Sequence, residues 1–200
     1  MAFILAIDQG TTGSCALVID ERGEIKGEGS FDHPQHYPQP GWVEHVAEEI
    51  KHSVEQAVLN ALTSAKINGS DIKAIGITNQ RETVCLFDKT GNSPVPFIVW
   101  QCRRSSDLCQ DLQQKGLAGF IHKTTGLRLD PYFSASKLAW IFKNHPQLLS
   151  AAQKGELLFG TIDSFLCHWL SGHKLHITDT TNASRTMLMD LKKNQWSDEC

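Results

Sequence analysis

Phe3-Ile-Leu-Ala-Ile-Asp-Gln-Gly-Thr-Thr-Gly-Ser-Cys-Ala-Leu-Val-Ile-Asp20 opens the chain and decides its class. Phe3 to Ile7 is an apolar run of strand length, and Cys15 to Ile19 is a second. After the turn Asp20-Glu-Arg-Gly23, Glu24 to Ser30 supplies a third, so the spacing predicts a three-strand meander. The first turn of that meander, Asp8-Gln-Gly-Thr-Thr-Gly-Ser14, is chemically distinctive. A carboxylate ends a strand, and two glycines bracket two threonines. Glycine permits positive φ and close backbone approach, which lets successive N–H groups converge on an anion. Thr11 and Thr12 add hydroxyl donors, and Asp8 is placed to hold a cation that shares the anion's charge. The combination suits a magnesium–phosphate ligand, although a plain hairpin would use the same residue types.

Outward from the meander, His33 to Trp42 holds Pro34, Pro38, Pro40 and Gly41 and must be a loop. Ala47 to Lys66 places Ile50, Val54, Ala57, Ala61 and Ala65 at the helical period, with Val46 where a capping Ser or Asp would be expected. Ile72 to Thr78 is apolar and β-rich, a strand. The order strand-strand-strand-helix-strand predicts α/β layering. Further on, helices are expected over 101–115, 117–123, 134–144, 147–153 and 161–170. Short strands are expected over 84–87, 97–100, 157–159, 173–177 and 186–189. Ser197-Asp-Glu199 has the form of a cap and acidic first turn, which raises the expectation of a longer protein.

The 200 residues suffice for one domain, or one with a small appendage. With 19 basic against 22 acidic residues and no basic run, nucleic acid and anionic membranes are poor candidates as main partners. No apolar stretch reaches the ~18 residues a membrane-spanning helix needs, and no secretory leader is visible at the N-terminus. The six cysteines form no C-x-x-C pair and several fall inside apolar patterns, which points to buried thiols in a reducing, cytoplasmic setting. His168, His173 and His176 lack a Cys or acidic partner pattern, so packing is a better account of them than metal binding.

Two further regions carry chemistry. Asn79-Gln-Arg-Glu-Thr83 sets five polar residues between apolar strands, at a strand end where α/β sheets bind ligands. Adjacent Arg81 and Glu82 offer donors and acceptors together, which matches hydroxyls better than a phosphate, though a surface salt bridge would look the same. Trp100 and Tyr132 each stand beside charged residues at an element boundary. An aromatic face there can pack on the C–H surface of a small polyol.

Several segments resemble the glycerol kinases. They are Pro40-Gly-Trp-Val-Glu-His45, Ile77-Thr-Asn-Gln-Arg-Glu-Thr83, Ile98-Val-Trp-Gln-Cys-Arg-Arg104, Asp130-Pro-Tyr-Phe-Ser134, Gly155-Glu-Leu-Leu-Phe-Gly-Thr161 and Thr181-Asn-Ala-Ser-Arg-Thr186. Tyr132 to Asn144, with Lys137 and Trp140, is similar to the signature of the wider carbohydrate kinase family. The resemblance implies an α/β, ribonuclease H-like (actin/hexokinase-type) domain with a mixed sheet flanked by helices. Residues 1–200 would form most of the N-terminal domain, and the adenine-binding domain and catalytic aspartate would lie beyond Cys200. The implied reaction is transfer of the γ-phosphate of ATP, with Mg2+, to glycerol.

Carried over by position, Arg81, Glu82 and Tyr132 would hydrogen-bond the glycerol hydroxyls and Trp100 would pack along its carbons. Asp8 would stand near magnesium and the transferred phosphoryl group. Gly10, Thr11, Thr12, Gly13 and Ser14 would bind nucleotide phosphates. Three positions depart from the usual pattern, Gly13 among them, where a serine is usual. The turn of the glycerol kinases usually continues Thr-Thr-Ser-Ser-Arg, so Cys15 stands where an arginine is expected, and Val46 replaces the usual Asp. The oligomeric state stays open, a homo-oligomer included. A kinase for another small polyol or sugar, a non-catalytic actin- or chaperone-like nucleotide-binding domain, and a glycerol-binding module share parts of this pattern. Glycerol-dependent ADP formation separates them.

Overall fold

The computed structural model describes residues 2–200. They fold as two compact units, one comprising residues up to Gln35 with His45–Gln80, the other His36–Glu44 with Arg81–Cys200.

The first unit is built on β1 (Phe3–Gln9), β2 (Gly13–Asp20) and β3 (Ile25–Asp32), the expected meander. The two-residue β4 (Glu44–His45) lies where the chain re-enters this unit; α1 (Ala47–Ala65) and β5 (Ile72–Asn79) follow. The sheet order is β3-β2-β1-β5, with β1 antiparallel to β2 and parallel to β5. This mixed sheet needs the long crossover that α1 supplies, because a parallel neighbour cannot be reached by a hairpin. Alternation sorts the faces. Leu5, Ile7, Ala16 and Val18 are buried, as are Ile50, Val54, Ala57 and Ala61 of α1, which lies across this face. Each fully buried Leu, Ile or Val side chain contributes about 1.5–3 kcal/mol. Gly27 and Gly29 let the helix come close: a Cβ on either would fall under 3.0 Å from α1 backbone atoms. As the Val46 position foretells, α1 starts without a side-chain cap.

The second unit contains β6 (Cys85–Asp88), β7 (Phe97–Ile98), α2 (Ser106–Gln114), α3 (Ala118–Thr125), α4 (Ser134–Asn144), α5 (Pro146–Gln153), β8 (Leu157–Gly160), α6 (Ile162–Leu170), α7 (Thr180–Ala183), β9 (Met189–Asp190) and β10 (Gln195–Trp196). β6 pairs antiparallel with β8. Val84, Leu86, Ile98, Val99, Cys102 and Ile141 form its core.

Three expectations are corrected. The strand expected over 186–189 begins only at Met189, because residues 184–187 form a turn in which Met187 takes a left-handed φ of 63°. The helix expected from Gln101 begins only at Ser106, because the Val99 carbonyl accepts from Cys102 and the Gly41 carbonyl from Arg103, so residues 101–105 turn instead. The segment 173–177 is no strand: His173 takes a left-handed φ of 66°, and side chains hold the segment in place of a ladder. His168 Nδ1 lies 3.1 Å from the Leu175 carbonyl oxygen, and His176 Nε2 donates to the Phe159 carbonyl at 2.8 Å. The histidine trio therefore packs and braces. Among the described residues no group of three His, Cys, Asp or Glu is placed to hold a metal ion. None of the described helices is long and apolar enough to cross a membrane.

Candidate functional site

In the first unit the strands run further into the turn than the apolar runs suggest, leaving Gly10-Thr-Thr12 as its tip. Gly10 N–H donates to Gly13 O at 2.8 Å, and His33 N–H to Thr12 O at 3.1 Å. The glycines serve space here, since neither has positive φ. A Cβ on Gly13 would sit 2.8 Å from Asp32 Oδ1 and 2.9 Å from Phe31 O. Asp8 is exposed on the sheet face opposite α1, in register with Cys15 of β2 and Thr78 of β5. Ser14 turns the other way. Its hydroxyl is buried and accepts from Ser53 Oγ of α1 at 2.7 Å, so it does not join Thr11 and Thr12 at the tip.

Beneath the tip lies a buried polar cluster. Gln9 Nε2 donates to Gly10 O at 2.7 Å and to His33 Nε2 at 3.1 Å. Gln80 Nε2 donates to Gln9 Oε1 at 3.0 Å and to Gly10 O at 3.2 Å. His33 packs edge-on against His45, ring centroids 4.7 Å apart. Two donors thus draw the Gly10 carbonyl inward. In a trans peptide the N–H points opposite to the C=O, so the Thr11 N–H is directed away from the cluster. Gln80, which the sequence groups with Arg81 and Glu82, works on the turn.

Cys15 shares the face of Asp8. Burial pushes its thiol pKa up, and the carboxylates of Glu28 and Asp8 push it further.

In the second unit Glu82 is almost wholly buried and adopts a left-handed φ of 64°. Such a conformation in a non-glycine residue costs on the order of 1 kcal/mol and must be held by its surroundings. Ser134 Oγ donates to the Glu82 carbonyl at 3.1 Å, and Arg185 Nε donates to Glu82 Oε1 at 2.6 Å. Trp100 and Tyr132, both half-buried, meet edge to face with centroids 5.5 Å apart. Tyr132 N–H donates to Asp130 Oδ1 at 2.8 Å, and Arg103 Nη1 pairs with that same oxygen at 3.0 Å. Lys137 Nζ, fully buried on α4, donates to the Tyr132 and Phe133 carbonyls. Burial brings the Lys137 amine down to about 7, against smaller opposing contributions from Cys102, Glu82, Cys109 and Asp130. Arg81 is exposed and forms no hydrogen bond or ion pair with another described residue.

The structure therefore brings Glu82, Trp100 and Tyr132 into one region of the second unit and keeps Asp8 and the glycine turn in the first. Arg185 was not assigned a role from sequence. Its only signal was its place in the segment 181–186.

Residues 3–200 match the N-terminal domain of the FGGY family of carbohydrate kinases. The chain belongs to that family. This FGGY domain is 50% identical over 198 residues to a glycerol kinase of Agrobacterium fabrum, covering 98% of the chain and 40% of that protein. It superposes on the crystal structure of Plasmodium falciparum glycerol kinase with ADP at a TM-score of 0.91 and 33% identity, covering 100% of the chain and 40% of the other. A xylulose kinase of Lactobacillus acidophilus matches at a TM-score of 0.88 and 25% identity, covering 100% of the chain and 39% of the other. The FGGY domain thus has the actin/hexokinase-type fold that the resemblance to the glycerol kinases implies, and spans about 40% of the length of the relatives it matches.

Proposed function

We propose that this domain serves the transfer of the ATP γ-phosphoryl group to glycerol, giving sn-glycerol 3-phosphate. The observation that carries the proposal is the buried Glu82 carboxylate in the same unit as the Trp100–Tyr132 pair. An ionised carboxylate accepts hydrogen bonds only, so it selects hydroxyl donors, while an aromatic face suits a short carbon chain. Arg81 and the Tyr132 hydroxyl supply the complementary donors. The similarity to the A. fabrum glycerol kinase supports glycerol over larger sugars.

At the other substrate, the Gly10–Gly13 turn and the Thr11 and Thr12 hydroxyls bind phosphate oxygens, and Ser14 acts through its packing on Ser53. Asp8 would hold Mg2+, which supplies charge neutralisation at the phosphoryl group; its exposed carboxylate, which belongs to no group of three ligating side chains among the described residues, fits an ion that takes most of its oxygens from water and phosphate. The protein's share of the work is positioning and charge stabilisation for in-line transfer. In this proposal residues 1–200 are most of the N-terminal kinase domain, and the adenine-binding domain and the catalytic base lie outside them. The six free thiols are in keeping with a cytoplasmic enzyme.

The test is ADP formation by the full-length protein over a panel of small polyols and sugars. Glycerol is expected to give the highest kcat/KM. ADP formation that ignores glycerol, or that favours another polyol, overturns the proposal.

A further inference from the structure

The Thr181–Thr186 segment carries no role in the function described so far, yet it places a cation directly on the most deeply buried carboxylate of the polyol-binding residues. Glu82 and Arg185 lie 103 residues apart in sequence and meet at 2.6 Å. The contact is one-sided. Arg185 uses Nε on Oε1 alone, and Glu82 Oε2 accepts nothing from another described residue. The guanidinium lies 4.9 Å from the Phe133 ring centroid and 5.8 Å from that of Tyr132. Cation–π contact of this kind fixes the plane of the fork as well as its charge.

The Arg185 end of the pair is held by backbone, and the Glu82 carbonyl by the Ser134 hydroxyl. Arg185 N–H donates to Asn182 O at 3.0 Å, at the end of α7, which Asp179 caps through Asn182 N–H at 2.8 Å. Ala135 N–H donates to Thr186 O at 2.8 Å, tying the same turn to the start of α4. Met187, two residues on, is buried with a left-handed φ of 63°. A strained residue therefore stands at or beside each partner, and strain of this kind persists only where surrounding contacts over-determine it.

We propose that Arg185 is a positioning and specificity-determining residue for the polyol: it fixes Glu82 with one oxygen engaged and the other left to accept a substrate hydroxyl. This rests on the glycerol kinase function proposed above. A carboxylate buried without a cation would protonate or swing toward solvent, and a protonated acid would offer a donor where the substrate needs an acceptor.

The experiment is a double-mutant cycle in the full-length protein, with glycerol and ATP kinetics measured separately. Arg185→Gln should raise the KM for glycerol roughly ten- to a hundred-fold while leaving that for ATP nearly unchanged. In a Glu82→Gln background the same substitution should add little. Arg185→Lys, which keeps the charge, should recover part of the glycerol affinity, and it carries the test if Arg185→Gln fails to fold. Equal losses in both Glu82 backgrounds, or an unchanged glycerol KM, would overturn the proposal alone. A wild-type enzyme that phosphorylates no polyol would overturn the functional proposal and this one with it.

Discussion

Lys137 Nζ stands 2.5 Å from the carbonyl oxygen of Tyr132. It also donates to the Phe133 carbonyl at 3.2 Å, so one buried amine holds the chain at the aromatic residue proposed to bind substrate. A neutral amine has two hydrogens, which matches two carbonyls; the third hydrogen of an ammonium would have no acceptor there.

That match sets a pH dependence. The folded pKa of Lys137 is lowered to about 7 by burial, below the ordinary lysine range. Below pH 7 both folded and unfolded states hold the proton. Above it the unfolded chain binds the proton and the folded one does not, so stability rises with pH up to the unfolded pKa. The wild type should therefore gain stability over Lys137→Met between pH 7 and pH 9, by on the order of 1 kcal/mol per pH unit. Denaturant unfolding of both proteins at the two pH values checks this; a constant difference refutes it.

Gly29→Ala should destabilise by about 1–3 kcal/mol or more, because its Cβ would meet α1 backbone, which cannot swing aside as a side chain can. Gly69→Ala is the control, since a Cβ there meets nothing within 4 Å and its φ is not positive. Thermal midpoints of the two variants should differ clearly, and equal midpoints would remove the close-approach role of Gly29.

Arg81→Ala in the full-length protein should raise the KM for glycerol roughly ten- to a hundred-fold, the loss expected for a charge-assisted hydrogen bond, and leave that for ATP nearly unchanged. Its exposure and its lack of partners among the described residues predict little loss of stability. A shift in the ATP KM instead would assign Arg81 to the phosphate side.

Cys15→Arg in the full-length protein should tighten ADP binding with little change in thermal midpoint. Only one face of β2 is fully buried, with Ala16 and Val18 at 0% exposure, while Cys15 is half-buried on the face it shares with Asp8. The carboxylates of Asp8 and Glu28 that raise its thiol pKa would receive a guanidinium there. Calorimetry with ADP and a melting curve on the same protein decide the matter. Unchanged affinity with a clear fall in midpoint would mean that the thiol fills core and arginine buries an unpaired charge.

What could be determined from sequence alone was whatever depends on near neighbours. The apolar runs Phe3–Ile7 and Cys15–Ile19 placed the meander, and the helical period placed α1. The 134–144 helix was expected at the bounds it has. Recognition of the site segments also lay within reach, because each is a run of adjacent residues. Tertiary structure decided what those segments do to one another. Alternation told that Ser14 and Cys15 face opposite ways, but only the packing of α1 showed which face is covered. Gln80 and Arg81 are consecutive, yet Gln80 bonds Gly10 and Gln9, more than sixty residues earlier, while Arg81 bonds no described residue. Glu82 finds its cation 103 residues later. A buried charge requires a partner, but composition and period carry no information on which residue the fold will bring to it, because that is settled by how whole elements pack.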